Sequence, residues 1–129
     1  MAALEGTVLV VSGDPAVADS LRFGLPAGLE TVPASDARAA WKELAEGVVP
    51  VAAVVELRTG SSGGFSLARD LNARPHLSNV PIVMLIERDQ DRWLAREAGA
   101  EVILRKPLEP GELPRAVLSL LAETAPSTG

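Results

Sequence analysis

Five short apolar runs, each separated from the next by a segment with helical spacing, constrain this chain more than any other feature. The runs are Thr7–Val11, Leu29–Pro33, Val51–Val55, Pro81–Ile86 and Glu101–Leu104. Most are β-branched and nearly continuous, the pattern of parallel strands buried on both faces. The second is short, carries Glu30 and Thr31, and ends at Pro33, which marks an edge strand. Between the runs, Asp14-Pro15 supplies an N-cap followed by proline at the first helical position, and predicts a helix to about Gly24. Ala37, Ala40, Trp41 and Leu44 follow an i, i+3, i+4, i+7 stripe that Gly47 can stop. Phe65, Ala68 and Leu71 line a third helix. Asp89 is placed to cap a fourth, running to Gly99. Leu113, Val117, Leu120 and Leu121 form the inner face of a fifth, with Pro114 in its first turn. Strict β-then-α alternation predicts an α/β fold with a parallel sheet and right-handed crossovers.

The chain's 129 residues suit one domain, expected over residues 1–124, with 125–129 as a frayed tail or the start of a linker. Aromatic residues make up 3% of the chain, so a core drawn from its 47% hydrophobic content must be aliphatic. No run approaches the ~20 apolar residues of a membrane helix. The N-terminus lacks the basic and apolar regions of a signal peptide, and there is no cysteine for disulfides or thiolate metal sites. The expected location is the cytoplasm. A net charge of −5, with ten arginines spread along the chain, argues against direct nucleic-acid binding.

Two residues stand out for chemistry. Glu56 ends the third run, and Lys106, one of two lysines, follows the fifth. In an open parallel sheet, residues at the C-terminal strand ends share one cleft, where such folds place their ligands. A surface carboxylate is the plain alternative at Glu56; for Lys106, service as its ion-pair partner alone is preferred over catalysis.

The chain resembles the receiver domains of bacterial response regulators, over about residues 7–123. The resemblance is carried by Val8-Leu-Val-Val11 before Asp14-Pro15, by Gly64 eight residues after Glu56, by Ala98-Gly-Ala100, and by Lys106-Pro107. It implies a flavodoxin-like doubly wound (βα)5 sheet of strand order 2-1-3-4-5. Such domains bind Mg²⁺ and accept a phosphoryl group on an aspartate. Position by position, that aspartate falls on Glu56, the acidic pair after the first strand on Ser12 and Gly13, and the phosphoryl-sensing hydroxyl residue on Ile86. The aromatic switch falls on Ile103. Asp14 matches a neighbouring position that starts the helix, and Lys106 is retained.

These departures share one consequence. Mg²⁺ requires octahedral oxygen ligands, usually with carboxylates among them, and Ser12 and Gly13 supply no charge. Glutamate is one methylene longer than aspartate, and a misplacement of ~1 Å can cost ~100-fold in rate. The expectation is an atypical, non-enzymatic receiver that binds no Mg²⁺ and acts in signal transduction through protein contacts independent of phosphorylation. From the resemblance, its output face combines the fourth helix, fifth strand and fifth helix, with Arg92, Trp93, Arg96 and Ile103, and serves a protein partner or a homodimer. The alternatives are a working phosphoacceptor using Glu56 or Asp14, and a small flavodoxin-like ligand binder.

The ligand-binding alternative rests on Gly60-Ser-Ser-Gly-Gly64, whose backbone N–H groups could cradle a phosphate. The loop lacks the lysine-serine/threonine ending of a P-loop, so a mobile connector is the preferred reading. His76 has no carboxylate or serine partner in view and is expected to face solvent. Trp41 belongs to a clean apolar stripe and is expected in the core. Trp93 lies among Asp91, Arg92, Arg96 and Glu97; partial packing on the sheet is preferred for it over partner recognition.

Overall fold

A computed structural model of the protein describes residues 4–58 and 63–124. In chain order the elements are β1 (Gly6–Val11), α1 (Pro15–Gly24), β2 (Leu29–Ala34), α2 (Ala37–Ala45), β3 (Pro50–Glu56), α3 (Gly64–Ala73), β4 (Ile82–Ile86), a 3₁₀ turn (Asp89–Asp91), α4 (Arg92–Glu97), β5 (Val102–Arg105) and α5 (Glu112–Thr124). The five strands form one parallel sheet of order β2-β1-β3-β4-β5. This is the flavodoxin-like arrangement. The tail at 125–129 lies outside the described residues, as does residues 59–62 of the Gly/Ser loop.

Each inner strand is buried on both sides, and its side chains divide by parity. Leu9, Val11, Ala53, Val55, Ile82, Met84 and Ile86 pack under α2, α3 and α4. Val8, Val10, Ala52, Val54, Val83 and Leu85 pack under α1 and α5. Burying one such aliphatic side chain stabilises by roughly 1.5–3 kcal/mol. The core therefore needs no aromatic residue, and none is fully buried: Trp41 and Phe65 are half-buried, while Phe23 and Trp93 are exposed. Trp41 packs against the core from its edge, with the Arg74 guanidinium 4.4 Å from the ring centroid.

α1 begins as its sequence predicts. The Asp14 carboxylate accepts from the Ala16 amide at 3.0 Å, and Pro15 occupies the first turn. Two expectations need correction. Asp89 does not cap a helix: Asp89–Asp91 is a 3₁₀ turn, and α4 spans Arg92–Glu97. Both acids are engaged with arginines instead. Trp93 does not pack on the sheet; it is 62% exposed, and the inner face of α4 is held by Ala95 and Leu94. In α3 the inner face is Leu67, Ala68 and Leu71, with Phe65 displaced to its margin.

Gly64 opens α3 directly beneath the end of β3. Its amide donates to the Leu57 carbonyl at 2.9 Å, and an added Cβ would run into the Glu56 carbonyl oxygen and the Val55 side chain. Gly64→Ala is expected to destabilise the protein by about 1–3 kcal/mol, because backbone must shift to admit the methyl group. Urea melts of the variant and the parent measure this.

Candidate functional site

The same parity that builds the core assembles the site. Ser12 continues the α1/α5-facing set of β1, Glu56 that of β3, and Lys106 that of β5 (Val102, Leu104). All three emerge at the C-terminal edge of the sheet. The Lys106 backbone is fixed there by its amide, which donates to the Ile86 carbonyl at 2.8 Å, and the Lys106–Pro107 peptide is cis.

Glu56 is the focus. Its Oε1 accepts from the Ser12 hydroxyl at 2.6 Å and from Lys106 Nζ at 2.9 Å. Ser12 Oγ in turn accepts from the Asp14 amide at 2.9 Å, so one hydroxyl links the start of α1 to the end of β3. Lys106 Nζ also reaches Asp14 Oδ2 at 3.4 Å. One ammonium thus bridges two carboxylates. Asp14 is shared between this contact and its capping bond, while Gly13 brings no side chain. Asp14 also lines a groove of about 280 Å³ between α1 and the β5–α5 loop, together with Ser20, Leu108, Pro110 and Pro114.

Burial pushes the Lys106 ammonium down, but hydrogen bonds and attraction to Glu56 and then Asp14 outweigh it and hold the group above its ordinary 10.5. A raised folded-state value makes the contribution complete below 10.5 and removes it as pH rises through the folded value.

Of the remaining predicted residues, Ile86 and Pro107 adjoin Lys106, the Ile86 carbonyl accepting from its amide, and the others lie apart from the triad. Ile86 is buried at the end of β4, and Ile103 pairs with Met84; both belong to the cluster under α4. Pro107 is exposed beyond the lysine, and His76 is exposed in the α3–β4 loop. Arg92, Trp93 and Arg96 lie on α4. Gly63 has φ of 70° and precedes α3; the loop segment beside it is not among the described residues.

A second charged cluster escaped the sequence reading. Asp91 is the only buried charged side chain among the described residues. It accepts from Arg58 at 3.4 Å and from Arg88 at 3.3 Å. Two residues earlier, Asp89 pairs with Arg105 of β5 at 2.9 Å and with Arg92 at 3.4 Å. The signal was the alternation Arg88-Asp-Gln-Asp-Arg92, but Arg58 from beyond β3 and Arg105 of β5 enter only through tertiary structure.

No family model matches the chain, and no curated protein matches it. Solved structures do. A protein assigned as a response regulator from Chloroflexus aurantiacus J-10-fl is 29% identical, with a TM-score of 0.80 over 92% of this chain and 99% of that one. The signal receiver domain of a signal transduction histidine kinase from Syntrophus aciditrophicus is 24% identical, with a TM-score of 0.81 and 96% of each chain covered. The receiver domain of a sensor histidine kinase from Pseudomonas aeruginosa PAO1, solved with a magnesium ion in its active-site cleft, is 24% identical at a TM-score of 0.78, over 92% and 99%. The structural neighbours of this chain are receiver domains, and its fold is theirs.

Two measurements probe the triad. In a double-mutant cycle of Glu56→Gln and Lys106→Met, urea melts are expected to give a coupling of about 1 kcal/mol, the upper end for solvated pairs, since neither side chain is fully buried. The stability difference between the parent and Lys106→Met is expected to stay level from neutral pH to about 10 and to shrink above 10.5. A difference that shrinks already near neutral pH would contradict the assignment.

Proposed function

We propose that this domain is a non-enzymatic signalling module: a receiver-fold protein that works through constitutive protein contacts rather than by accepting a phosphoryl group. The observation that carries this reading is that Ser12, where the resemblance places an acid, is a neutral hydroxyl that donates to Glu56 Oε1. The same oxygen accepts from the Lys106 ammonium. Phosphoryl transfer depends on positioning and on neutralising charge around the transferred group. Here Ser12 and Gly13 bring no charge to the site, so a cation offsetting the transferred group would have no acidic pair to hold it.

The donor set also fits Mg²⁺ poorly. Such a cation takes six oxygens in near-ideal octahedral geometry and relies on carboxylate ligands. Ser12 and Gly13 offer one neutral hydroxyl between them, and the Asp14 carboxylate caps α1. The ammonium stands within hydrogen-bond reach of both remaining carboxylates, so a divalent cation would compete with it for the same oxygens. Among the described residues no group of three or more His, Cys, Asp or Glu side chains is arranged to hold a metal.

A single-conformation output face follows from the residues beneath it. Ile86 and Ile103 pack in one apolar cluster under α4. Neither offers a hydroxyl that a phosphoryl group could recruit, so the element that phosphorylation would bias between two states is missing. The partner would bind the α4–β5–α5 face, as a second protein or a second copy of this chain.

Incubation with acetyl phosphate and Mg²⁺, followed by intact-mass measurement, is expected to leave the mass unchanged, beside a receiver that retains its aspartate as positive control. A stoichiometric phosphoryl adduct on Glu56 or Asp14 would favour the working-phosphoacceptor reading instead.

A further inference from the structure

We propose that the corner formed by the start of α4 and the ends of β3, β4 and β5 is a docking site for an acidic segment of a partner protein, with Trp93 as its apolar anchor. The proposal rests on the protein-contact reading above and adds the chemistry of the partner.

The charge arrangement carries it. Asp89 and Asp91 are each shared by two arginines, so four guanidinium groups stand on two carboxylates. Glu87 and Glu97 add two acids to this corner and Arg96 one further base, so five bases stand against four acids on a chain of net charge −5. The four paired arginine side chains remain 41% to 59% exposed. A guanidinium carries five N–H donors in a planar fork, and the contacts to the aspartates use only some of them. The others are available to carboxylates from outside, which a guanidinium binds bidentately.

The array is also held in advance. Asp91 is buried, and it draws in Arg58 from beyond β3 and Arg88 from beyond β4. Asp89 does the same for Arg105 of β5. Arginines oriented before the partner arrives lose less side-chain entropy on binding. Within α4, Arg92 and Arg96 stand at i, i+4, a like-charge spacing that weakens a helix in isolation. Trp93 lies beside this pair on the helix surface, 62% exposed. A large exposed aromatic beside arginines has the composition of an interface centre.

The test is selection of a displayed library of random short peptides against the whole domain, then fluorescence anisotropy with the labelled winners. Selected peptides are expected to be rich in Asp and Glu around one bulky apolar residue, and to bind more weakly as salt rises. Trp93→Ala is expected to reduce affinity ~30-fold. The double variant Arg92→Ala/Arg105→Ala, with thermal melts to verify folding, is expected to reduce it ~10-fold or more. Peptides without acidic enrichment, or acidic peptides indifferent to both variants, would overturn the proposal. So would a concentration-dependent dimer in sedimentation lost on Trp93→Ala, which would assign the corner to a second copy. Single-stranded oligonucleotides binding as tightly as the peptides would also overturn it. Repeating the anisotropy with acetyl phosphate and Mg²⁺ separates the two readings. Acid-dependent binding that changes alongside a phosphoryl adduct defeats the phosphorylation-independent reading and leaves the acidic partner standing. An unchanged mass with no acid preference does the reverse.

Discussion

Burial of the sheet on both faces is the constraint from which the rest follows. Because side chains alternate, a strand packed between helix layers must be apolar at every inner position, and a polar residue is tolerated only where the strand runs out. Ser12, Glu56 and Lys106 occupy those ends. Their parity matches the α1/α5-facing side of their strands, so Ser12 and Lys106, 44 and 50 positions from Glu56, meet it at hydrogen-bond distance. Without the covered sheet, the lysine would have no reason to meet either acid.

At that edge the chain provides its own counter-charges. A carboxylate at a partly buried strand end needs a cation or donors, since desolvating an uncompensated charge is costly. Lys106 and Ser12 meet that need at Glu56, and Asp14 takes its bonds from the lysine and the α1 amide. The result is a site whose lysine is paired with both acids. Gly64 completes it sterically, because the approach of α3 to the Glu56 carbonyl leaves no room for a side chain.

The α4 corner follows the opposite pattern. There the carboxylates are fewer than the cations and are shared between arginines from separate elements. Asp91 is buried, yet its partners reach into solvent. Such an arrangement fixes the turn before α4 while leaving charge directed outward. The apolar cluster containing Ile86 and Ile103 supports the corner from below, while the Ser12–Glu56–Lys106 site continues the strand faces on the other side of the sheet.

Much of this was written in the sequence. Near-continuous β-branched runs determined the strands because only a doubly covered parallel sheet makes use of them, and Asp14-Pro15 determined the start of α1 because its cap is a local bond. Lys106-Pro107, with Glu56 at a strand end, located the cleft. The helix before β5 was misjudged for a physical reason: a cap, a salt bridge and a buried anion all read as aspartate followed by polar residues. What Asp89 and Asp91 do depends in part on Arg58 from beyond β3 and Arg105 of β5, which no local pattern relates to them. The exposure of Trp93 was hidden likewise, because a six-residue helix presents only Ala95 and Leu94 to the core. Local periodicity and capping chemistry determined the elements and their order. Only the tertiary structure decided which charges meet, because Coulombic and hydrogen-bonded partners are chosen by distance in space rather than by separation along the chain.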